Sequence, residues 1–508
     1  MSASKDKRTR ARQRSEGTER RQVSRNKQHK ERVKRNVRNI IVGALLFVLI
    51  AAAFLVNSSF FYTVTPAVTV GGRSYTAAEY NYYYYYSYNE FVSNYEDYLE
   101  MFGLDTSKPL NKQPYGENST WADYFHDAAI DRLKSLSALL NAADEAGFTL
   151  SEESKTRVDD ELDYWATIAD MYDQYSNVDQ LLSAQYGKHF NAKTFRRILE
   201  RNYLSSDFYS YMQDSYQYTD EETEAYYAEH KDELDQIDYR SYYVSGAVDE
   251  DEGADAEAAM NDAKAIADTI AAAVDEEDFI RLAYEAAPEE SKVSYEDDDA
   301  TKSSQQGKEI SSAFSEWLLD GSRKKLDISV VETDDGYYVV MFLSRNDNHY
   351  HLRNVRHLLI KAEQDEDGEY TDETKEAARQ RCEELLAEWK NGEATEESFA
   401  AMANEFSDDG GSNTNGGLYE DIYQGQMVSG FEAFVFDPAR RPGDTGIVYG
   451  ESGNYAGYHI IYYVSESPTL FSNYLADYLM RNDAMAEWYN LRVEAVDVRT
   501  RLSMYFVQ

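Results

Sequence analysis

Cysteine is almost missing: Cys382 is the only one in 508 residues. That excludes an intramolecular disulfide and argues against any Cys-based metal site. No cysteine borders the apolar segment near the N-terminus, so a lipid-modified cysteine cannot replace a membrane span there. Proline is low, at 7 residues, and positive charge is short, with 51 Lys/Arg against 93 Asp/Glu. The charge deficit is uneven. Residues 1–39 carry 15 Lys/Arg and 4 Asp/Glu, whereas the remainder carries 36 and 89. A basic arm on an acidic body places a compartment boundary between them. The basic residues of the arm are scattered among Gln, Ser and Glu, with no aromatic ring to stack on bases. This composition argues against nucleic acid and for a disordered topology determinant at anionic headgroups.

The boundary is visible as "IIVGALLFVLIAAAFLV", Ile40 to Val56, which is 17 uncharged residues. As a helix it would span ~26 Å, close to the hydrocarbon thickness of a bilayer. Phe60, Phe61 and Tyr62 follow and suit an interfacial belt. The basic flank keeps the N-terminus cytoplasmic and sends the acidic body across. The competing reading, a cleaved signal peptide, suffers from a long n-region and a weak cleavage site at "AAAFLVNSS".

With 42% hydrophobic residues the body has material for real cores, and its length asks for three or four domains. "PAVTVGGRSYTAAEY" reads as strand, Gly-Gly turn and helix, with Thr76 and Glu79 forming a capping box. The pattern is then helical to about His230, with a second capping box at Thr219 and Glu222. Tyr80, Tyr83, Tyr84, Phe91, Tyr95 and Tyr98 recur near helical spacing. They read as a core stripe or as an adaptable amphipathic surface, and spacing alone favours the core.

A repeat of roughly 120 residues follows, a domain-sized period. "FSEWLLDGSRKKLDISV" from Phe314 matches "FEAFVFDPARRPGDTGI" from Phe431 without a gap. Phe314, Asp320, Arg323 and Asp327 thereby align with Phe431, Asp437, Arg440 and Asp444. Upstream, "RSYYV" matches "RHLLI", and each runs into an acidic, Gly-containing loop ("DEDEGADAE", "EQDEDGEYTD") and two helices. Each copy ends on a Gly-Tyr strand, "GYYVVMFL" or "GYHIIYYV". Each unit is thus a small α+β domain. The last segment, from 468, looks like a long amphipathic helix that must pack on an earlier domain.

In the second copy, "RHLLI" places His357 on a strand and "FSDD" puts Asp408 and Asp409 at a helix end. "GQMVSGF" supplies Met427 and Phe431, and "GYHII" puts His459 on the last strand. In this order the motifs resemble parvulin-type peptidyl-prolyl isomerases from about His349 to Ser465. The resemblance implies paired histidines, His357 and His459, with Asp409 beside them. It also implies a proline pocket walled by Leu418, Met427 and Phe431, with Tyr458 preceding the second histidine. Two departures occur. The family's Gly-Asp-Leu-Gly is here Gly416-Gly417-Leu418-Tyr419, and one extra residue lies between Leu418 and Met427. The chemistry needs no cofactor. An amide C–N bond resists rotation by roughly 18–20 kcal/mol, and an apolar pocket that withdraws it from water weakens its double-bond character. A hydrogen-bonded His–His–Asp network can fix the local field while the bond twists. A metal site from His349, His351 and His357, which share strand parity, lacks a fourth ligand.

In the first copy Ser241 stands for His357, Ile310 for Met427 and Tyr338 for His459, so that domain should keep the fold without the site. The helical region resembles the chaperone domain of PrsA-, SurA- and PpiD-like foldases. The expected fold class is α+β. A basic arm (1–39) and a transmembrane anchor (40–62) precede a helical chaperone domain (66–235). A degenerate parvulin-like domain (236–348), a parvulin domain (349–467) and a C-terminal helix on the chaperone domain (468–508) complete it. The resemblance implies a bacterial, Gram-positive membrane foldase that isomerises Xaa-Pro bonds in translocated, partly folded proteins. Its partners would be such chains and, through residues 40–62, the bilayer; neither cofactor nor nucleic acid is expected. A silent holdase using the parvulin units as scaffold is the alternative.

Overall fold

The structure, a computed structural model, describes residues 3–247, 255–365, 368–453, 455–501 and 503–504. Most of the first acidic loop, residues 248–254, and residues 366–367 of the second lie outside them. The fold is mixed α+β and divides into two compact units, Met1–Tyr216 with Asp483–Gln508, and Gln217–Asn482.

The first unit is mostly helical. Its opening helix, Ala3–Val56, contains a stretch, His29–Leu55, long and apolar enough to cross a membrane. A short helix, Ser59–Val64, follows after two residues. Here the structure corrects the expected aromatic belt: Phe60 is exposed, but Phe61 and Tyr62 turn into the protein core. Strands Pro66–Val70 and Arg73–Thr76 pair through Gly71 and Gly72, both at positive φ, as a two-residue hairpin turn requires. Thr76 and Glu79 form the capping box that starts helix Ala77–Asn94. This helix is buried more widely than one stripe, with Tyr80, Tyr82, Tyr83 and Tyr84 all in the core. Tyr95 and Tyr98 lie past its end and are exposed. The Glu79 carboxylate is buried and takes Arg197 and Arg201 at 2.7 and 2.8 Å. The chain's end returns to this unit: strand Val498–Thr500 pairs with Pro66–Val70, and Arg492 reaches Glu145 at 2.7 Å.

The second unit contains two four-stranded antiparallel sheets with the same strand order. In the first, Lys302–Gln306, Gln236–Ser245, Gly336–Asn346 and Ile328–Thr333 lie side by side. In the second, Leu418–Ile422, His351–Lys361, Tyr455–Leu470 and Thr445–Ser452 do so. Helices Ala256–Ile270 and Glu276–Ala286 accompany the first sheet, and Asp372–Asn391 and Glu396–Phe406 the second. The aligned residues do the same work. Arg323 pairs with Asp320 at 2.7 Å and lies over Trp317; Arg440 pairs with Asp437 at 2.8 Å and lies over Phe434. Asp327 accepts the Lys324 amide, and Asp444 that of Arg441, each at 2.9 Å. Arg240 bridges Glu276 and the Asp298 carbonyl, as Arg356 bridges Glu396 and the Gly416 carbonyl. These shared struts tie sheet to helix and loop in both halves.

Candidate functional site

His357 and His459 sit on neighbouring antiparallel strands. His357 pairs with Ile461, and His459 with Leu359, so the two histidines are diagonal neighbours on one face. Their Nδ1 atoms are 3.3 Å apart, and both rings are buried. The "FSDD" stretch is fastened to the same strand. The Leu359 amide donates to Ser407 Oγ (3.1 Å), the Lys361 amide to Asp408 Oδ2 (2.9 Å) and the Asp408 amide to the Leu359 carbonyl (2.8 Å). Ser407 and Asp408 therefore hold the backbone, and Asp409 is left to reach His357 Nε2 at 3.0 Å.

Asp409 is the anchor of a larger network. Ser412 Oγ donates to its Oδ2 at 2.5 Å, the Tyr419 hydroxyl at 3.1 Å, and the Gly411 amide to Oδ1 at 3.2 Å. The His357 hydrogen bond and these donors hold its carboxyl well below the usual carboxylate range. Burial, reinforced by neighbouring His357, pushes His459 down to about 3, so its ring is neutral. The Tyr455 hydroxyl lies 3.0 Å from His459 Nε2. An ionised Asp409 calls for a proton on His357 Nε2, and with one proton on each ring His357 Nδ1 accepts. His459 then donates from Nδ1, and its Nε2 accepts from Tyr455. Hydrogen bonds run in one direction from Tyr455 to Asp409.

One wall is apolar. The Phe431 ring meets His357 and His459 edge-on, with centroids at 5.6 and 5.4 Å, and Met427 packs in the Phe431 cluster. Two glycines make room. A Cβ at Gly417, which has φ +69°, would lie 2.1 Å from the His357 carbonyl, and one at Gly450 would lie 2.7 Å from His459 Nε2.

His357, Asp409, His459, Met427 and Phe431 are thus brought together. Two expected wall residues are not. Tyr458 alternates to the helix-covered face, where it packs near Leu358 and Cys382. Leu418 pairs with Arg356 and shares that same face, while Tyr419 pairs with Val355 on the histidine face. The Tyr419 ring stacks on His357 at 4.8 Å. The extra residue before Met427 is a bulge: from Tyr419 to Ile422 the strand advances three residues against two on its partner, with Asp421 at φ +55°. Ser412, Tyr419 and Tyr455 were not legible as site residues beforehand. Tyr455 and Tyr419 carry a usable signal, strand parity with His459 and with His357's face.

The other expected positions are accounted for. His351 Nδ1 contacts the Ser467 carbonyl at 2.9 Å, and His349 precedes the strand. In the first half, Tyr338 takes the His459 position and packs on Phe314 at 5.2 Å and Tyr243 at 4.7 Å. Ser241 pairs with Val340 as His357 does with Ile461, and Ile310 is buried beside Phe314. Aromatic packing stands where the second half has its polar network.

Residues 341–466 match the family model described as the PPIC-type PPIase domain, a range holding every site residue above. No curated protein matches the chain. Among solved structures, the peptidylprolyl isomerase PrsA from Bacillus anthracis is similar at 18% identity over 29% of this chain, with a TM-score of 0.18. That likeness spans 59% of the Bacillus protein, a little over half its length. The foldase protein PrsA from Streptococcus pneumoniae is 12% identical over 57% of this chain and 89% of its own, with a TM-score of 0.19. A SurA-like chaperone from Campylobacter jejuni is 15% identical over 56% and 83%, at 0.17. The sequence motifs, the paired histidines and the family match agree on a PPIC-type, or parvulin-type, PPIase domain over residues 341–466.

Proposed function

We propose that the chain is a membrane-anchored foldase that isomerises Xaa-Pro bonds in translocated proteins and holds those chains on its helical unit. The observation that carries the reading is the hydrogen-bonded chain Tyr455–His459–His357–Asp409, set against the Phe431–Met427 wall. An apolar wall can grip a prolyl ring while the amide leaves water, and loses part of the resonance that solvation supports. The two Xaa-Pro isomers differ by only about 0.5–1 kcal/mol, so a catalyst need only lower the barrier. Neither bond cleavage nor covalent intermediate is required. The network acts by holding its dipoles in place as the amide twists. Tyr419 is assigned here to the wall in place of Leu418.

The reading divides the chain into a cytoplasmic arm (1–39), an anchor (40–62) and a chaperone domain (66–235) closed by residues 468–508. A silent parvulin-like domain (236–348) and the isomerase (349–467) lie between. The basic arm and acidic body support an N-terminus inside and a body outside. A cavity of about 670 Å³ in the helical unit, lined by Tyr82, Tyr83, Tyr86, Leu136, Asn202 and Tyr489, supports chain holding. The same cavity favours the alternative of a pure holdase. Prolyl isomerisation separates the two: His459→Ala and Met427→Ala should abolish it while protection of an aggregating client persists. A folded wild type without isomerase activity leaves only the holdase.

A further inference from the structure

We propose that the helical unit following the span lies directly on the lipid headgroup surface, fixed there by a stiff joint with no tether. The proposal rests on reading residues 40–55, the apolar part of the His29–Leu55 stretch, as a membrane anchor. Between Leu55 and the first core residue, Phe61, the chain has no slack. The Asn57 amide donates to the Ala53 carbonyl (3.3 Å) and the Ser58 amide to that of Leu55 (3.0 Å), so helical bonding runs to the end of the span. Ser58 Oγ then accepts from the Phe61 amide at 3.3 Å and caps the next helix, Ser59–Val64. The first strand starts at Pro66, with only Thr65 between. The body also reaches back. His189 Nε2 is 3.0 Å from the Asn57 carbonyl oxygen, and its ring lies 5.2 Å from that of Tyr62.

Height follows from length. From Leu55 to Phe61 the chain is helical except at Ser58, which is extended, and rises about 11 Å at most. The headgroup layer on each side of a bilayer is roughly 5–7 Å thick. The protein core therefore begins within a few ångströms of the headgroup surface. The short helix sorts its side chains to suit. Phe61 and Tyr62 are 8% and 7% exposed, whereas Phe60 and Val64 are 59% and 54% exposed. Phe60 and Val64 are four apart, on one side of the helix. Two apolar side chains held outward at that height fit the interfacial layer, where aromatic rings are favoured.

The test uses the full chain in lipid nanodiscs of phosphatidylcholine and phosphatidylglycerol, with Cys382→Ala removing the native thiol. A nitroxide is attached at Phe60→Cys, Val64→Cys or, as a reference on the other unit, Val293→Cys, whose native side chain is 72% exposed. Collision with a water-soluble nickel chelate should be several-fold lower at 60 and 64 than at 293. A flexible Gly/Ser insertion between Asn57 and Ser58 should restore it. Equal collision at all three sites, or shielding that survives the insertion, would overturn the joint. A chain that stays in solution without detergent or lipid would instead bring down the anchor reading, and the joint with it.

Discussion

Tyr455 ends the polar chain at the site, and its hydroxyl lies 3.0 Å from His459 Nε2. Tyr455→Phe leaves that nitrogen buried without a donor, at a cost of about 1–3 kcal/mol. We expect Tyr455→Phe to lower kcat/KM roughly tenfold, equivalent to about 1.4 kcal/mol, with KM little changed. The 15N shifts of the His459 ring should move with it, since the nitrogen that loses its donor reports the network directly. A variant with wild-type kinetics and unchanged shifts would remove Tyr455 from the account. The same residues set a pH dependence. Folded His459 is held neutral down to about 3, whereas the unfolded ring takes a proton below about 6.5. Between those values the unfolded state binds more protons, so stability is full above about 6.5 and falls as pH drops. Asp409, also held down, adds its own loss below its ordinary value of 3.8, together with surface carboxylates such as Glu376. Urea midpoints between pH 7 and 4.5 should therefore decline in wild type and flatten in His459→Gln. An identical decline in both would show that His459 is not the group responsible.

Strands position the site, and a strand tolerates little at its crowded points. Gly417 combines a left-handed φ with a close approach to the His357 carbonyl. Gly417→Ala should cost more than about 2 kcal/mol, from the αL penalty plus displacement of the His357 strand. Thermal unfolding checks the stability, and loss of isomerase activity in the folded fraction checks the displacement. In the helical unit, the buried Glu79 carboxylate joins the capping box of its own helix to two arginines of helix Ala192–Ser215. Glu79 is 1% exposed, so removing both arginines should cost about 3–5 kcal/mol. Glu79→Gln should cost less, because the arginine side chains, 36% and 28% exposed, can rehydrate. Equal losses would mean that the carboxylate is not the buried charge that matters. Elements of this kind were readable in the sequence because their signals are local. Thr76-x-x-Glu79 and Thr219-x-x-Glu222 stand as capping boxes, and Gly71-Gly72 as the turn. The strand at Leu418 was less readable. A one-residue bulge and an exchange of faces depend on pairing with Val355 and Arg353, partners more than sixty residues away.

At the scale of the whole molecule, the repeat explains why one half carries a site and the other does not. Both keep the Arg–Glu strut, the Asp–Arg pair over an aromatic ring, and the same sheet order. The residues that line the site face differ, and Tyr338 fills with packing the volume that His459 fills with a hydrogen-bonded ring. That contrast was legible from "GYYVVMFL" and "GYHIIYYV", because alternation in a strand assigns each residue a face. Two features were not legible. The inward turn of Phe61 and Tyr62 follows from packing on the tyrosine-rich helix, which no local pattern announces. The donors Ser412 and Tyr455 reach their partners across a turn and along a strand, and neither residue type marks a site by itself. Tyr458, beside His459 in sequence, lies on the opposite face, as alternation along the strand requires. The central claim is that the second half, and not the first, is a working isomerase. The most direct measurement is prolyl isomerisation of Xaa-Pro peptides by the full chain in detergent, beside His459→Ala and Tyr338→Ala. Wild-type activity should be abolished by His459→Ala and left intact by Tyr338→Ala. A folded wild type that is inactive whatever residue precedes proline, or activity that survives His459→Ala, would contradict it.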